Sequence, residues 1–333
     1  MARRIRWGVL STAGIGINAF IPGAQKGPNC EVLAIGSRDG EKARAVAARL
    51  GIPRSYGSYE SLLADPDVDA VYISLPNSMH AEWAIKAAQA GKAVLVEKPF
   101  SSNAAEAAAV IAAGKQAGVV LMEAFMYRLH PQHVRVRALL EAGAIGDLVG
   151  VQTAFSFHMD PLDPQNIRLR AGVAGGALMD IGCYPVSGIR MLFAEEPVSA
   201  IATYDLRPEF NVDMAVCGIL EFSGKRFGLF EGGFRGAGNG GWYRAVGSAG
   251  SIEVPFAYGL GPAEAVVILN DASGRHEERI AGVDMYTLEA EEVAACIVDG
   301  REPLYPVQDA LANMRVIDAI FRSARADGLR QAI

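Results

Sequence analysis

Short apolar runs and alanine-rich amphipathic stretches alternate along the first third of the chain. The runs occupy residues 5–10, 32–36, 68–75, 93–96 and 119–122, and helical periodicity falls on 41–50, 81–90 and 104–116. Gly51, Gly91 and Gly118 stand where helices end in a left-handed residue. Asn103 followed by Glu106 reads as a capping box for the third helix. Strands that are apolar almost throughout, with helices between them, predict a parallel sheet covered on both faces. The fold class expected is therefore α/β, with a doubly wound, nucleotide-binding parallel sheet over residues 1–125.

The pattern changes in residues 126–333. A helix is expected at 131–142, then strands at 148–157, 198–204, 212–222, 226–230, 245–254 and 265–269, and closing helices at 286–299 and 308–323. Several strands are joined by glycine-containing turns such as Ser223-Gly224, which predicts an α+β domain with a large open, mostly antiparallel sheet. Such a sheet with one apolar face suits a homodimer or homotetramer. The net charge of −6, from 31 Lys and Arg against 37 Asp and Glu, argues against a nucleic-acid surface. No run of about 18 uncharged apolar residues predicts a membrane span. The chain opens without a signal-peptide pattern, and Cys30, Cys183, Cys217 and Cys296 form no CxxC pair. The expectation is a cytoplasmic protein whose cysteines are buried small hydrophobes.

Candidate chemistry begins where the first strand ends. Ser11, Thr12, Ala13, Gly14, Ile15 and Gly16 follow Leu10. A turn that cradles a pyrophosphate needs small residues, for tightness, for close backbone approach and for helix-to-strand packing. Strand geometry favours Ser11, Ala13 and Gly16 in those three positions; the literal glycine motif at Gly14, Gly16 and Ala19 starts three residues late. About 20 residues on, Ser37 and Arg38 stand where an acidic residue would bind a ribose hydroxyl. A hydroxyl and a guanidinium suit a 2′-phosphate, so NADP(H) is favoured, with NAD(H) the alternative. Asp39 fits a helix N-cap.

Three further stretches carry a family resemblance: Leu75-Pro76-Asn77-Ser78-Met79-His80; Glu97-Lys98-Pro99 with Glu123 to Pro131; and Gly175-Gly176-Ala177-Leu178-Met179-Asp180-Ile181-Gly182-Cys183-Tyr184-Pro185. In this order the sequence resembles the glucose–fructose oxidoreductase, inositol dehydrogenase and rhizopine-catabolism (Gfo/Idh/MocA) family. Its look is nearest the dimeric dihydrodiol dehydrogenase and NADP-dependent xylose dehydrogenase branch. The resemblance implies a Rossmann domain followed by a substrate domain, a nicotinamide cofactor, and hydride transfer to or from a sugar, cyclitol or vicinal diol. Carried over by residue, it implies Lys98 as the active-site lysine, Tyr184 as proton donor and Asp180 as the acidic partner. It also implies cofactor contacts from Leu75, Pro76, Asn77, His80, Glu97, Lys98, Arg128 and Arg168. Asn166-Ile167-Arg168 departs from the family's Asn-Trp-Arg at Ile167.

The chemistry is coherent on its own terms. Moving a hydride to or from a C–OH carbon requires a group to move the hydroxyl proton. A phenol titrates near ~10, and a neighbouring ammonium lowers that value. The partner expected is a small polyol, sugar or carbonyl compound. No metal is expected: His130, His133 and His158 lack a suitably spaced third ligand. Two other readings remain open at this stage: a cofactor-binding sensor or scaffold without turnover, and a glycoside-modifying or epimerising enzyme that recycles its NAD(P).

Overall fold

The run at residues 5–10 becomes β1 (Ile5–Leu10), in which Ile5, Trp7, Val9 and Leu10 have no exposed surface. A strand hidden on both faces belongs inside a parallel sheet. The computed structural model, which describes residues 3–236, 238 and 240–333, has that sheet. Around β1 lie α1 (Ile21–Lys26), β2 (Cys30–Gly36), α2 (Gly40–Leu50), β3 (Arg54–Tyr56), α3 (Tyr59–Leu63), β4 (Ala70–Ile73), α4 (His80–Gln89), β5 (Ala93–Glu97), α5 (Ala104–Ala117) and β6 (Leu121–Ala124). All six strands run parallel, in the order β3-β2-β1-β4-β5-β6. The order reverses between β1 and β4, and ligands of such sheets bind at the carboxyl ends of the strands beside that reversal. Asn103 Oδ1 caps α5 by accepting from Glu106 N at 3.0 Å. The return bond goes from Ser102 N, not Asn103 N, to Glu106 Oε2 at 2.9 Å. β3 and α3 escape sequence patterning because each is too short to show a period.

The second sheet has nine strands. With α6 (Pro131–Glu141) and α7 (Cys183–Phe193), the chain supplies β7 (Leu148–Ser156), β8 (Ser199–Arg207), β9 (Val212–Phe222), β10 (Arg226–Gly233), β11 (Trp242–Gly247), β12 (Ser251–Val254), β13 (Ala265–Asp271) and β14 (Gly274–Ile280). After α8 (Met285–Asp299) and α9 (Val307–Arg325), β15 (Gln331–Ala332) completes the order β14-β13-β12-β11-β7-β10-β9-β8-β15. Only β7 and β10 pair in parallel. The single strand expected at 245–254 is a hairpin, β11 and β12, with Val246 opposite Ser251. β14 was not anticipated because Arg275, His276, Glu277, Glu278 and Arg279 give it no apolar alternation, a composition suited to an edge strand. α7 lies on one face, where a Cβ on Gly228 would fall 2.4 Å from Ile189 Cγ2. Cys30, Cys183 and Cys296 are buried, but Cys217 is exposed, contrary to expectation. It alternates outward on β9, between the buried Val216 and the half-buried Gly218.

Two compact units emerge: residues through Met126 with Asp284–Leu311, and Tyr127–Val283 with Ala312–Ile333. Assigning everything after residue 125 to the second domain therefore needs correction. Within the first unit α8 lies against α1, where a Cβ on Gly23 would sit 2.7 Å from Tyr286 Cβ. Thr287 Oγ1 donates to Gly23 O at 2.8 Å, and Glu291 accepts from Asn29 N and Nδ2 at 2.9 and 2.7 Å. Helical periodicity at 286–299 reveals a buried face but not the sheet it covers.

Candidate active site

In the first unit, five strand ends build the carboxyl edge. At β1, Ser11 adopts φ +113°, a conformation that ordinarily calls for glycine, and its Oγ accepts from Ala13 N at 3.0 Å. The following helical turn starts with Ile17 N donating to Ala13 O at 3.1 Å, so the amides of Gly14, Ile15 and Gly16 precede the first intrahelical bond. Gly16 packs so close to the sheet that a Cβ there would fall 3.2 Å from Ser74 Oγ and 3.6 Å from Val9 Cγ1. Gly14 is exposed with ordinary room around it. Tight turn, approachable backbone and close packing thus fall on Ser11, Ala13 and Gly16, and the turn fits a dinucleotide pyrophosphate. Thr12 is half-buried and Ile15 is exposed.

At β2, Ser37 is buried and its Oγ accepts from Asp39 N at 3.2 Å, while Arg38 is exposed. Asp39 is an N-cap, accepting from Glu41 N and Lys42 N at 3.1 and 3.2 Å. At β4, Leu75 is buried, and Pro76 and Asn77 are half-buried.

The end of β5 is held from three sides. Tyr72 donates its hydroxyl to Glu97 Oε1 at 2.5 Å, and Lys98 N donates to Glu97 Oε2 at 3.1 Å. Phe100 N donates to Glu123 Oε1 at 2.9 Å. His80 is wholly buried, with Nδ1 2.8 Å from Pro99 O and Nε2 2.8 Å from Leu75 O. The backbone on both sides of the half-buried Lys98 is thereby fixed. Burial, and then Glu97, hold the Tyr72 phenol well above its usual titration range, so it stays a donor. The same two causes hold the wholly buried Glu289 of α8 above the carboxylate range. Among the described residues neither of its carboxyl oxygens has a hydrogen-bond partner.

In the second unit, Tyr184 is the second residue of α7 and is nearly buried. The rings of Phe155, Tyr127 and Tyr258 surround it at centroid distances of 5.3, 5.8 and 5.8 Å. Asp180 lies about one turn earlier, in the π-helical stretch Leu178–Gly182 that leads into α7, and its Oδ2 accepts from Arg168 Nε at 2.6 Å. Arg128 is buried and donates to Ser187 Oγ from Nε and Nη2 at 3.0 and 2.6 Å.

Glu97, His80 and Arg128 are buried, and their polar atoms engage Tyr72 and Lys98 N, two carbonyls, and Ser187. Sequence reasoning missed Tyr72, Glu123 and Ser187; the available signal was a polar group inside or at the end of a buried apolar run. A cavity of about 810 Å³ in the first unit opens at the opposite edge, along Lys92, Ala93, Val120 and Leu121 where β5 and β6 begin. It is remote from the glycine turn. Among the described residues no group of three or more His, Cys, Asp or Glu is placed to hold a metal, and no helix is long and apolar enough to cross a membrane.

A sheet of this order, with this turn at its reversal point, defines a dinucleotide-binding α/β protein. Residues 5–125 match the GFO/IDH/MocA oxidoreductase family with an NAD-binding Rossmann fold, and residues 133–253 match the GFO/IDH/MocA C-terminal domain. The chain belongs to the Gfo/Idh/MocA family and is an NAD(P)-dependent dehydrogenase or reductase acting on CH–OH groups. It is 41% identical over 319 residues to D-xylose 1-dehydrogenase (NADP(+)) 2 of Haloferax volcanii, covering 96% of this chain and 97% of that one. Trans-1,2-dihydrobenzene-1,2-diol dehydrogenase of Xenopus laevis is 36% identical over 223 residues, 66% of each chain. A 3-ketoreductase from Actinomadura kijaniata, solved with NADP and TDP-benzene, superposes with a TM-score of 0.90 at 28% identity, covering 96% of this chain and 98% of that one.

Proposed function

We propose that this protein is an NADP(H)-preferring oxidoreductase that interconverts CH–OH and C=O in a sugar, cyclitol or vicinal diol, with Tyr184 as acid/base. The observation that carries this reading is the arrangement at the end of β5. Tyr72, Glu123 and His80 fix the backbone around Lys98 on the strand-end edge that also carries the glycine turn. Three buried supports around one half-buried lysine are more than a surface cation needs. The relatives add weight, since one is a xylose dehydrogenase using NADP(+) and another acts on a dihydrodiol.

In this proposal the nicotinamide, when bound, supplies or accepts the hydride. Ser11 to Gly16 hold the pyrophosphate with backbone amides, and Leu75, Pro76 and Asn77 line the same edge. Ser37 and Arg38 take the 2′-phosphate. Tyr184 gives its hydroxyl proton to the substrate oxygen in reduction and takes it back in oxidation. The Lys98 ammonium favours the phenolate and brings that exchange toward neutral pH. Asp180, with Arg168, orients the substrate hydroxyls. The second unit provides the substrate-binding surface and, through the outer face of its sheet, a homodimer or homotetramer. We place the protein in the cytoplasm, where unpaired cysteines stay reduced.

A turnover screen with NADP+ and NAD+ across aldoses, cyclitols and aromatic dihydrodiols tests the reading, alongside NADPH with dicarbonyls. Tyr184→Phe should bind cofactor normally and lose activity by about 10²–10⁴-fold, the range of a lost acid/base group. Full activity in that variant would remove Tyr184 from the chemistry.

A further inference from the structure

The helical stretch that carries Asp180 and Tyr184 begins at an unusual place. Gly176 holds φ +111°, and a Cβ there would fall 2.1 Å from Asp213 Oδ1. A Cβ on Gly175 would fall 2.6, 2.7 and 2.9 Å from the carbonyl oxygens of Arg168, Ile167 and Arg170. Two adjacent glycines are thus required for the chain to pass between the 167–170 segment and β9. Gly176 N donates to Arg168 O at 2.8 Å, and Gly175 N to Arg170 O at 3.1 Å. Asp213, on β9, is buried. Its Oδ2 accepts from Leu178 N at 2.6 Å.

The first amides of a helix lack partners within it, and a side chain usually supplies one from the residue just before. Here that residue is Ala177, preceded by Gly176, and neither has a side chain that can accept. The acceptor comes instead from a strand 35 residues later in sequence. A bond to a carboxylate is stronger than a neutral one, and a carboxylate burdened by burial is retained only where its partners repay it. Burial pushes the Asp213 carboxyl up to about 6, with the amides of Leu178 and Ala177 opposing that rise. Asp213 is therefore predominantly ionised at pH 7.5, where it accepts the Leu178 bond as a carboxylate.

We propose that Asp213 is a positioning residue: a cap delivered from β9 that sets where the Asp180–Tyr184 helix starts, and so where both side chains point. The placement rests on the reading of Tyr184 given above, while the capping itself does not. Asp213 touches backbone amides rather than substrate.

Hydrogen exchange and steady-state kinetics at pH 7.5 test it together, on full-length wild type, Asp213→Ala, Asp213→Asn, Tyr184→Phe and the Asp213→Asn/Tyr184→Phe pair. The Leu178 amide should exchange faster in Asp213→Ala, while the amides of β1 remain protected. Its kcat should fall by roughly tenfold to a hundredfold, the scale of a misplaced reacting group, with cofactor Kd within about twofold. Asp213→Asn keeps one acceptor and should lie between; if the alanine variant does not fold, it carries the test. In the Tyr184→Phe background Asp213→Asn should cost less than it does in the wild type, since only the placement of Asp180 is left to lose; an equal fold-loss in both backgrounds would uncouple Asp213 from Tyr184. Unchanged exchange at Leu178, or a kcat within about twofold of wild type in Asp213→Asn and Asp213→Ala, would overturn the proposal. Full activity of Tyr184→Phe with faster exchange in Asp213→Ala would leave the cap standing and remove the assignment of Tyr184.

Discussion

Arg38 shows how much one side chain can decide. It is exposed beside a buried Ser37, and the neighbouring acid, Asp39, is spent on capping α2. Without a free carboxylate at that strand end, recognition of a bare ribose hydroxyl loses its usual acceptor. Arg38→Ala should therefore weaken NADPH binding by about tenfold or more, the worth of a charge-assisted bond, and leave NADH within about twofold. Fluorescence titration with both nucleotides measures this, and equal losses would mean that no 2′-phosphate meets Arg38. The glycine turn can be singled out in the sequence by its small residues at a strand end, whereas Lys98, Asp180 and Tyr184 come through the family resemblance. The roles of Tyr72, Glu123, Ser187 and Asp213 are not legible there, because each acts on a partner from a different element. A tyrosine within an apolar strand reads as core until the residue opposite its hydroxyl is known.

At the scale of elements, strands with unbroken apolar runs were legible and α7 was not. Its sequence places Pro185 in the third position, which discourages an interior helical reading. In the structure the ladder just before it widens into the π-helical stretch Leu178–Gly182. That stretch depends on close passage over β10, where a Cβ on Gly232 would fall 2.7 Å from Gly182 Cα and 3.0 Å from Gly182 N. Backbone cannot swing aside as a side-chain tip can. Gly232→Ala should cost about 1–3 kcal/mol, the usual range for overpacking, read as a lowered midpoint in chemical denaturation. Gly172→Ala, where an added Cβ meets nothing within 4 Å, is the control and should change little. Equal midpoints for the two variants would mean that the helix can lift from the sheet without penalty.

For the molecule as a whole, the outer face of the nine-stranded sheet is the feature that composition could only hint at. Ile201 pairs with Ile219, and Ile219 with Leu229, forming an apolar row across β8, β9 and β10. Phe227, Leu229 and Trp242 are 47%, 41% and 43% exposed. Exposed apolar side chains gathered on one sheet face in this way suit an association surface. Light scattering should find the wild type as a dimer or tetramer and Leu229→Lys shifted toward monomer. A wild type that stays monomeric at tens of micromolar would refute association through this face. The strand order of that sheet was illegible, since β7 pairs with β10 and β11 rather than with its neighbour in sequence. Alternation reveals which residues face inward, not which strand lies alongside.

The return of α8 to the first unit also governs how the chain can be divided. A fragment ending at Met126 would keep all six parallel strands yet bare the flank of α1 that Tyr286 and Thr287 cover. The nucleotide-binding half is thus stitched from two separated stretches of the polypeptide. A ribosome cannot finish it until residues 284–311 emerge, so its completion must wait for β7 to β14 of the other sheet.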